Sequence, residues 1–204
     1  MAVANYNEVH GHLPPPYVLG PDGKRWHSWR VLILPYIEQN ELFQAYKFDE
    51  PWDGPNNRRL AERMPRTYSF HGSPKPGSTT ANYLAVVGDE TAWPGTRKVK
   101  FEDVTDGTSS TILLVENDGA GVHWMEPRDL SFAEMSFEPN TPSGIGSPYR
   151  SSAAVMLDGS VRSFSAKLQP DVLRAMLTAR GGEKLRDAEG GWDVIEDGRT
   201  RERR

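Results

Sequence analysis

The chain has no cysteine. That excludes a disulfide, a thiolate nucleophile and any cysteine-based zinc site, and it leaves the redox compartment open. It also lacks a long apolar run. No segment reaches the roughly 20 consecutive apolar residues that a membrane helix needs. Met1-Ala2-Val3-Ala4-Asn5 has neither the basic nor the apolar region of a signal peptide. The chain as given is therefore expected to be soluble, with no membrane insertion of its own. Positive charge is scarce: the formal net charge is −4. A nucleic-acid surface needs clustered Lys and Arg, so nucleic acid is not expected as a partner. The basic run Arg199–Arg204 reads as a solvated end. Gly-x-Ser-x-Gly, His-Glu-x-x-His and the phosphate-binding P-loop pattern are all missing, as is any repeat of 20 to 50 residues.

Aromatic residues are present in strength. Trp26 to Asp53 holds seven of them: Trp26, Trp29, Tyr36, Phe43, Tyr46, Phe48 and Trp52. An unbroken apolar run, Val31 to Leu34, lies among them. Such a segment is either the organising core of a domain or an interface. With 204 residues, 37% hydrophobic and 25% charged, the chain can bury one core. The expected organisation is a single domain over 1–180 followed by a tail over 181–204, in which Trp192 is one anchor candidate.

Local patterns place the elements. Val3, Tyr6 and Val9 recur near helical spacing, and Gly11 supplies a stop. Pro14-Pro15-Pro16 forces extension, and Pro21-Asp22-Gly23 is a turn. Ser28 is an N-cap candidate for a buried helix that Pro35 should kink or divide. A second helix is expected over Asn40–Tyr46 and a charged surface helix over Asn56–Met64. After Pro65 the texture turns to strands: Thr67–Phe70, Tyr83–Val87 and Thr111–Glu116. Asp158-Gly159 between two apolar segments predicts a β-hairpin with a type I′ turn. A helix follows over Gln169–Thr178. Helices first and strands later argue an α+β fold.

With these segments placed, the chain resembles a bacterial paralogous family of unknown function that is similar to the major pseudopilin of type II secretion. The resemblance rests on Asn5–Gly11 with Leu13-Pro14-Pro15, on His27–Val31 through Glu38-Gln39, and on Asp49–Asp53. Further matches are Asn82–Gly88, Thr105–Thr111 and Leu157–Val161. It implies a pilin-like fold, with a helical N-terminal half on an antiparallel sheet and a C-terminal β-hairpin and helix. Family members carry a prepilin-type leader and long first helix upstream, and a His-x9-Asp-Gly motif. Here Met1 falls where that helix is ending, and Pro148 stands where the motif histidine would be. The cysteines common in the family are missing, and Phe70-His71-Gly72 stands near where one is expected. Metal or disulfide roles attached to those positions do not carry over.

Candidate site residues form an acidic and aromatic set: Glu50, Trp52, Asp53, Glu116, His123, Trp124, Glu126 and Asp129. Carboxylates and loop carbonyls suit a hard cation, so Ca²⁺ is the candidate ion for Glu50, Asp53, Glu116, His123 and Glu126. The plainer alternative is that Glu50 and Asp53 cap turns and Glu116 pairs with an Arg, since no EF-hand spacing exists. Trp52, Trp93 and Trp124 are candidates for a sugar-stacking platform, against the alternative of core. His10-x-His12 reads as a helix-end pair meeting free carbonyls. His27, between Trp26 and Trp29, reads as buried and hydrogen-bonded. Ser109-Ser110 reads as part of a turn. The leading functional expectation is a non-enzymatic head domain of a pseudopilin-like, cell-envelope subunit, partnered by similar subunits and requiring no cofactor. The alternatives are a carbohydrate- or ligand-binding envelope module and a metal-dependent hydrolase around Glu116, His123 and Glu126.

Overall fold

The computed structural model describes residues 1–70, 77–149, 151–165, 167–188, 191–196 and 199–200. Both helices and antiparallel strands are present, so the fold is α+β. The backbone groups into two compact units, each described by itself. Unit 1 comprises Met1–Leu84, Trp93–Lys100 and Gly121–Asp129, and unit 2 comprises Ala85–Ala92, Phe101–Ala120 and Leu130–Arg204. The boundary at residue 84 falls inside the 1–180 span that the sequence treats as one domain.

Unit 1 begins with helix α1, Ala2–His10. Gly11 ends it in the left-handed conformation, φ 72°, and its amide donates to the Asn7 carbonyl. Val3 and Tyr6 are buried, whereas Val9 is 68% exposed and lies off the packed face. Strands β1, Tyr17–Leu19, and β2, Arg25–Ser28, pair antiparallel around the expected Pro21-Asp22-Gly23 turn. This hairpin means the N-terminal half is not purely helical. Short strands beside prolines carry too little period-2 signal to be seen in the sequence.

Ser28 closes β2 and caps helix α2, Trp29–Leu32, its hydroxyl accepting from the Arg30 amide at 3.2 Å. Pro35 then divides the helical stretch as expected. Residues Leu34–Ile37 form a 3₁₀ turn, and helix α3 follows at Asn40–Ala45. Glu38 adopts φ 62° at the corner between them. The charged helix of 56–64 is a 3₁₀ helix over Asn57–Arg63.

The strand expected at Thr67–Phe70 is absent. Arg66–Tyr68 instead forms a 3₁₀ turn, with the Tyr68 amide donating to the Pro65 carbonyl at 3.1 Å. A tertiary bond decides this, since the Tyr68 hydroxyl donates to the Arg30 carbonyl at 2.6 Å. Four alternating residues cannot outweigh a buried hydrogen bond at a proline-started turn. The expected Tyr83–Val87 strand is likewise broken, leaving β3 at Tyr83–Leu84 in unit 1.

In unit 2, β4 (Val86–Val87), β5 (Ile112–Glu116), β6 (Leu130–Ser131), β7 (Ser151–Met156) and β8 (Val161–Ser165) follow. Strands β4 and β6 pair in parallel. Strands β5, β7 and β8 pair antiparallel in that order. Ser152, Ala154 and Met156 of β7 alternate inward, as a half-buried strand requires. Helix α4, Pro170–Leu177, starts on a proline at its first position and buries Val172, Leu173, Met176 and Leu177. The expected tail contains three antiparallel strands, β9 (Lys184–Ala188), β10 (Gly191–Glu196) and β11 (Arg199–Thr200). The side chain of the proposed anchor Trp192 lies outside the described residues.

The Asp158-Gly159 hairpin forms between β7 and β8, but not with a type I′ turn. Only Gly159 has positive φ, at 86°. Its amide donates to the Met156 carbonyl, and the Met156 amide donates to the Ser160 carbonyl. That is a three-residue loop closed by one left-handed glycine. Nothing lies within 4 Å of a Cβ placed on Gly159. Gly159→Ala should therefore cost only the backbone term, about 1–2 kcal/mol. Urea unfolding checks this, with an unchanged midpoint contradicting it.

Candidate functional site

The best-organised polar cluster in the described residues is buried in unit 1 around Arg30. The Ser28 cap places Arg30 as the second residue of α2. Its Nη1 donates back to the Ser28 hydroxyl at 2.9 Å, and its Nη2 meets Asp129 Oδ1 at 2.5 Å. The Trp29 indole donates to both Asp129 oxygens at 3.2 Å. Nη2 also donates to the Tyr83 carbonyl, and the guanidinium lies over the Trp29 ring at 4.8 Å. Side-chain exposure is 0% for Arg30 and 1% for Asp129. Arg30 Nε has no hydrogen-bond partner. Burial drives the Tyr68 hydroxyl, which reaches the Arg30 carbonyl, well above its ordinary pKa, so it stays a donor. Such a knot is closed to ligands and holds four parts of unit 1 in register. Asp129 thus belongs to the core rather than to an acidic surface set. The sequence signal was available: an arginine inside Trp29–Leu34 needs a buried partner.

The remaining sequence candidates separate. Trp93 is 1% exposed and Trp124 0%, so neither offers a stacking face. Trp93 packs on Trp29, with centroids 5.3 Å apart, and Trp124 stacks on Tyr68 and donates to the Ala61 carbonyl. Trp52 alone is half-buried, lying against His123 at 5.0 Å. The three-tryptophan platform is therefore not formed. Long aromatic side chains at this density went to the core, where their area counts most.

The carboxylates are used locally. Glu50 Oε1 accepts from the Asn56 and Asn57 amides at 2.8 and 2.6 Å, and Oε2 from the Asn56 side chain. Partial desolvation raises its pKa, but these bonds and Arg59 outweigh it and hold the carboxyl below its usual range. Buried Asn57 completes the loop by bonding Lys47 N and O and the Pro51 carbonyl. Glu50 therefore caps a turn, and Asp53 is exposed. Glu126 accepts from the His123 amide and pairs with Arg128 at 2.6 Å. Glu116, in unit 2, accepts from the Ala153 amide at 2.7 Å, and no Arg among the described residues pairs with it. No group of three His, Asp or Glu among the described residues is arranged to hold a metal ion. The candidate Ca²⁺ set over Glu50, Asp53, Glu116, His123 and Glu126 forms no such group among the described residues.

Three histidines have structural partners. His10 stacks on Tyr6 at 4.0 Å and reaches the Tyr36 hydroxyl. His12 Nδ1 bonds the Leu13 carbonyl. His27 is buried and bonds the Tyr46 hydroxyl at 2.9 Å, as its tryptophan neighbours suggested. His71 lies outside the described residues. At the Asp106-Gly107 turn, Thr111 donates its hydroxyl to the Gly107 carbonyl and Asp106 accepts from the Gly181 and Gly182 amides. The Ser109-Ser110 stretch is therefore part of a satisfied turn.

The segment carrying α1, the β1–β2 hairpin, α2, α3 and the three 3₁₀ segments is the one that comparison recognises. Residues 1–69 match a family described as a protein of unknown function (DUF1559). No curated protein and no solved structure matches the chain. The matched segment holds Arg30 but not Asp129, so half of the buried pair comes from outside it.

Removing one partner of a buried pair strands a charge. Asp129→Ala and Arg30→Ala should each cost about 3–5 kcal/mol, and Arg30→Met with Asp129→Leu should cost less than either. Denaturant titration of the three variants checks this; additive losses would contradict it. A second outcome concerns pH. Burial holds His27 below its ordinary value, and His123 likewise, although Glu126 opposes the shift there. The unfolded chain then binds more protons below about pH 6.5, so stability falls as pH drops through that value. Unfolding measured from pH 7.5 to 5 should show this loss, reduced in His27→Gln; an unchanged slope in that variant removes His27 as its source.

Proposed function

We propose that the chain is a non-enzymatic structural subunit: the head domain of a pseudopilin-like protein of the cell envelope, on its periplasmic or extracellular face. The observation that carries this reading is the form of residues 1–69. Helix α1 is closed at its C-terminal end by Gly11 and packed through Val3 and Tyr6. The same segment matches the family model. In this role an N-terminal helix holds the head, and helix-to-helix packing assembles the subunits. No described helix is long and apolar enough to cross a membrane.

Two further observations support a scaffold over a catalyst. The titratable groups of the candidate cluster are engaged in turns and local pairs. The strongest electrostatic feature is sealed in the core. Fractionation of the native host should recover the protein with the envelope, and cross-linking in intact cells should give a ladder of multiples. Recovery as a cytosolic monomer, or steady turnover of a small substrate by the purified chain, would overturn the reading.

A further inference from the structure

Residues 58–66 read RRLAERMPR. Arg58, Arg59, Arg63 and Arg66 are all exposed, with Glu62 the one acid among them. The 3₁₀ helix Asn57–Arg63 accounts for the first two. With three residues per turn, Asn57 and Leu60 share a row and are buried, which turns Arg58 and Arg59 outward. Met64 and Pro65 are buried too, so Arg63 and Arg66 flank an inward-facing pair. Among the described residues, none of the four guanidinium groups has a hydrogen-bond or ion-pair partner; Arg59 acts on Glu50 only through space. Four like charges within nine residues repel one another and lower the barrier to any anionic partner.

The charge of the whole chain shows which partner fits. Unit 1 has 13 Lys and Arg against 10 Asp and Glu, a net +3. Unit 2 has 11 against 18, a net −7. Asp118, Glu134 and Glu138 of unit 2 are exposed, and among the described residues no side chain pairs with them. Arginine pairs carboxylates through two parallel N–H donors, which gives register as well as attraction.

We infer that the arginine strip Arg58, Arg59, Arg63 and Arg66 is the docking face for a second copy of this chain, which presents the acidic surface of its unit 2. Two different patches form the contact: the arginine strip of one copy and the acidic surface of the other. This inference rests on the structural-subunit reading and names its assembly face. Exposed ion pairs are individually weak and are screened beyond about 8 Å at physiological salt, so the association is modest and salt-sensitive.

Sedimentation velocity of the intact chain tests it. Self-association is expected at about 50 mM salt and is lost at about 500 mM. Arg58→Glu with Arg59→Glu should weaken association about tenfold, the scale of two lost surface pairs. Arg58→Lys with Arg59→Lys should retain most of it. Glu134→Arg with Glu138→Arg should weaken it similarly, and mixing the two reversed variants should restore association. Circular dichroism confirms that each variant is folded. A monomer at every salt concentration, or association unchanged by reversal, overturns the inference. So does strip-dependent binding to phosphatidylglycerol vesicles without self-association. Envelope recovery with a monomeric chain overturns this inference alone; salt-sensitive association with cytosolic recovery overturns the subunit reading alone.

Discussion

The buried Arg30–Asp129 pair is the constraint around which unit 1 is arranged. A guanidinium and a carboxylate withdrawn from water cost several kcal/mol each unless nearly every donor and acceptor is met. Meeting them fixes the Ser28 cap, the Trp29 indole, the Tyr83 carbonyl and the segment that delivers Asp129. The Tyr68 hydroxyl on the Arg30 carbonyl extends the knot into the 3₁₀ turn after Pro65. Apolar packing alone would allow several registers of a tryptophan-rich segment; a directional charge pair allows one.

This arrangement separates the polar groups of unit 1 into two kinds. Arg30, Asp129 and Asn57 are buried and bonded. The arginines of 58–66 stand outside with no partner among the described residues. Asn57 and Arg58 are neighbours in sequence, yet one fixes a loop and the other faces solvent. The 3₁₀ geometry makes that division, and with it the basic face through which copies of the chain are inferred to meet. Both the scaffold and the surface are consistent with a subunit whose work is to hold position.

Much of the local structure was legible in the sequence. Gly11, Ser28 and Pro35 acted where their backbone chemistry said they would: a left-handed stop, a cap and a break. Strand β5, the Asp158-Gly159 hairpin and helix α4 followed from apolar period and turn residues. Where the reading failed, the signal was short or the deciding contact was remote. Thr67–Phe70 alternates like a strand, but Tyr68 is bonded 38 positions back along the chain. The hairpin turn was misassigned because Asp-Gly serves both a two-residue and a three-residue loop. Trp52, Trp93 and Trp124 look alike in sequence, and only burial tells the half-open one from the two in the core.

By itself, the sequence determined the α+β class, the absence of cysteine chemistry and the positions of caps, breaks and turns. Those depend on a residue and its near neighbours, through backbone sterics and local hydrogen bonds. The tertiary structure alone decided that Asp129 serves Arg30 rather than a cation, that Glu50 and Glu116 are spent on backbone amides, and that the arginines of 58–66 have no partner among the described residues. Those depend on which distant groups arrive within about 3 Å of one another, the range at which a hydrogen bond forms, and that is not written in any local pattern.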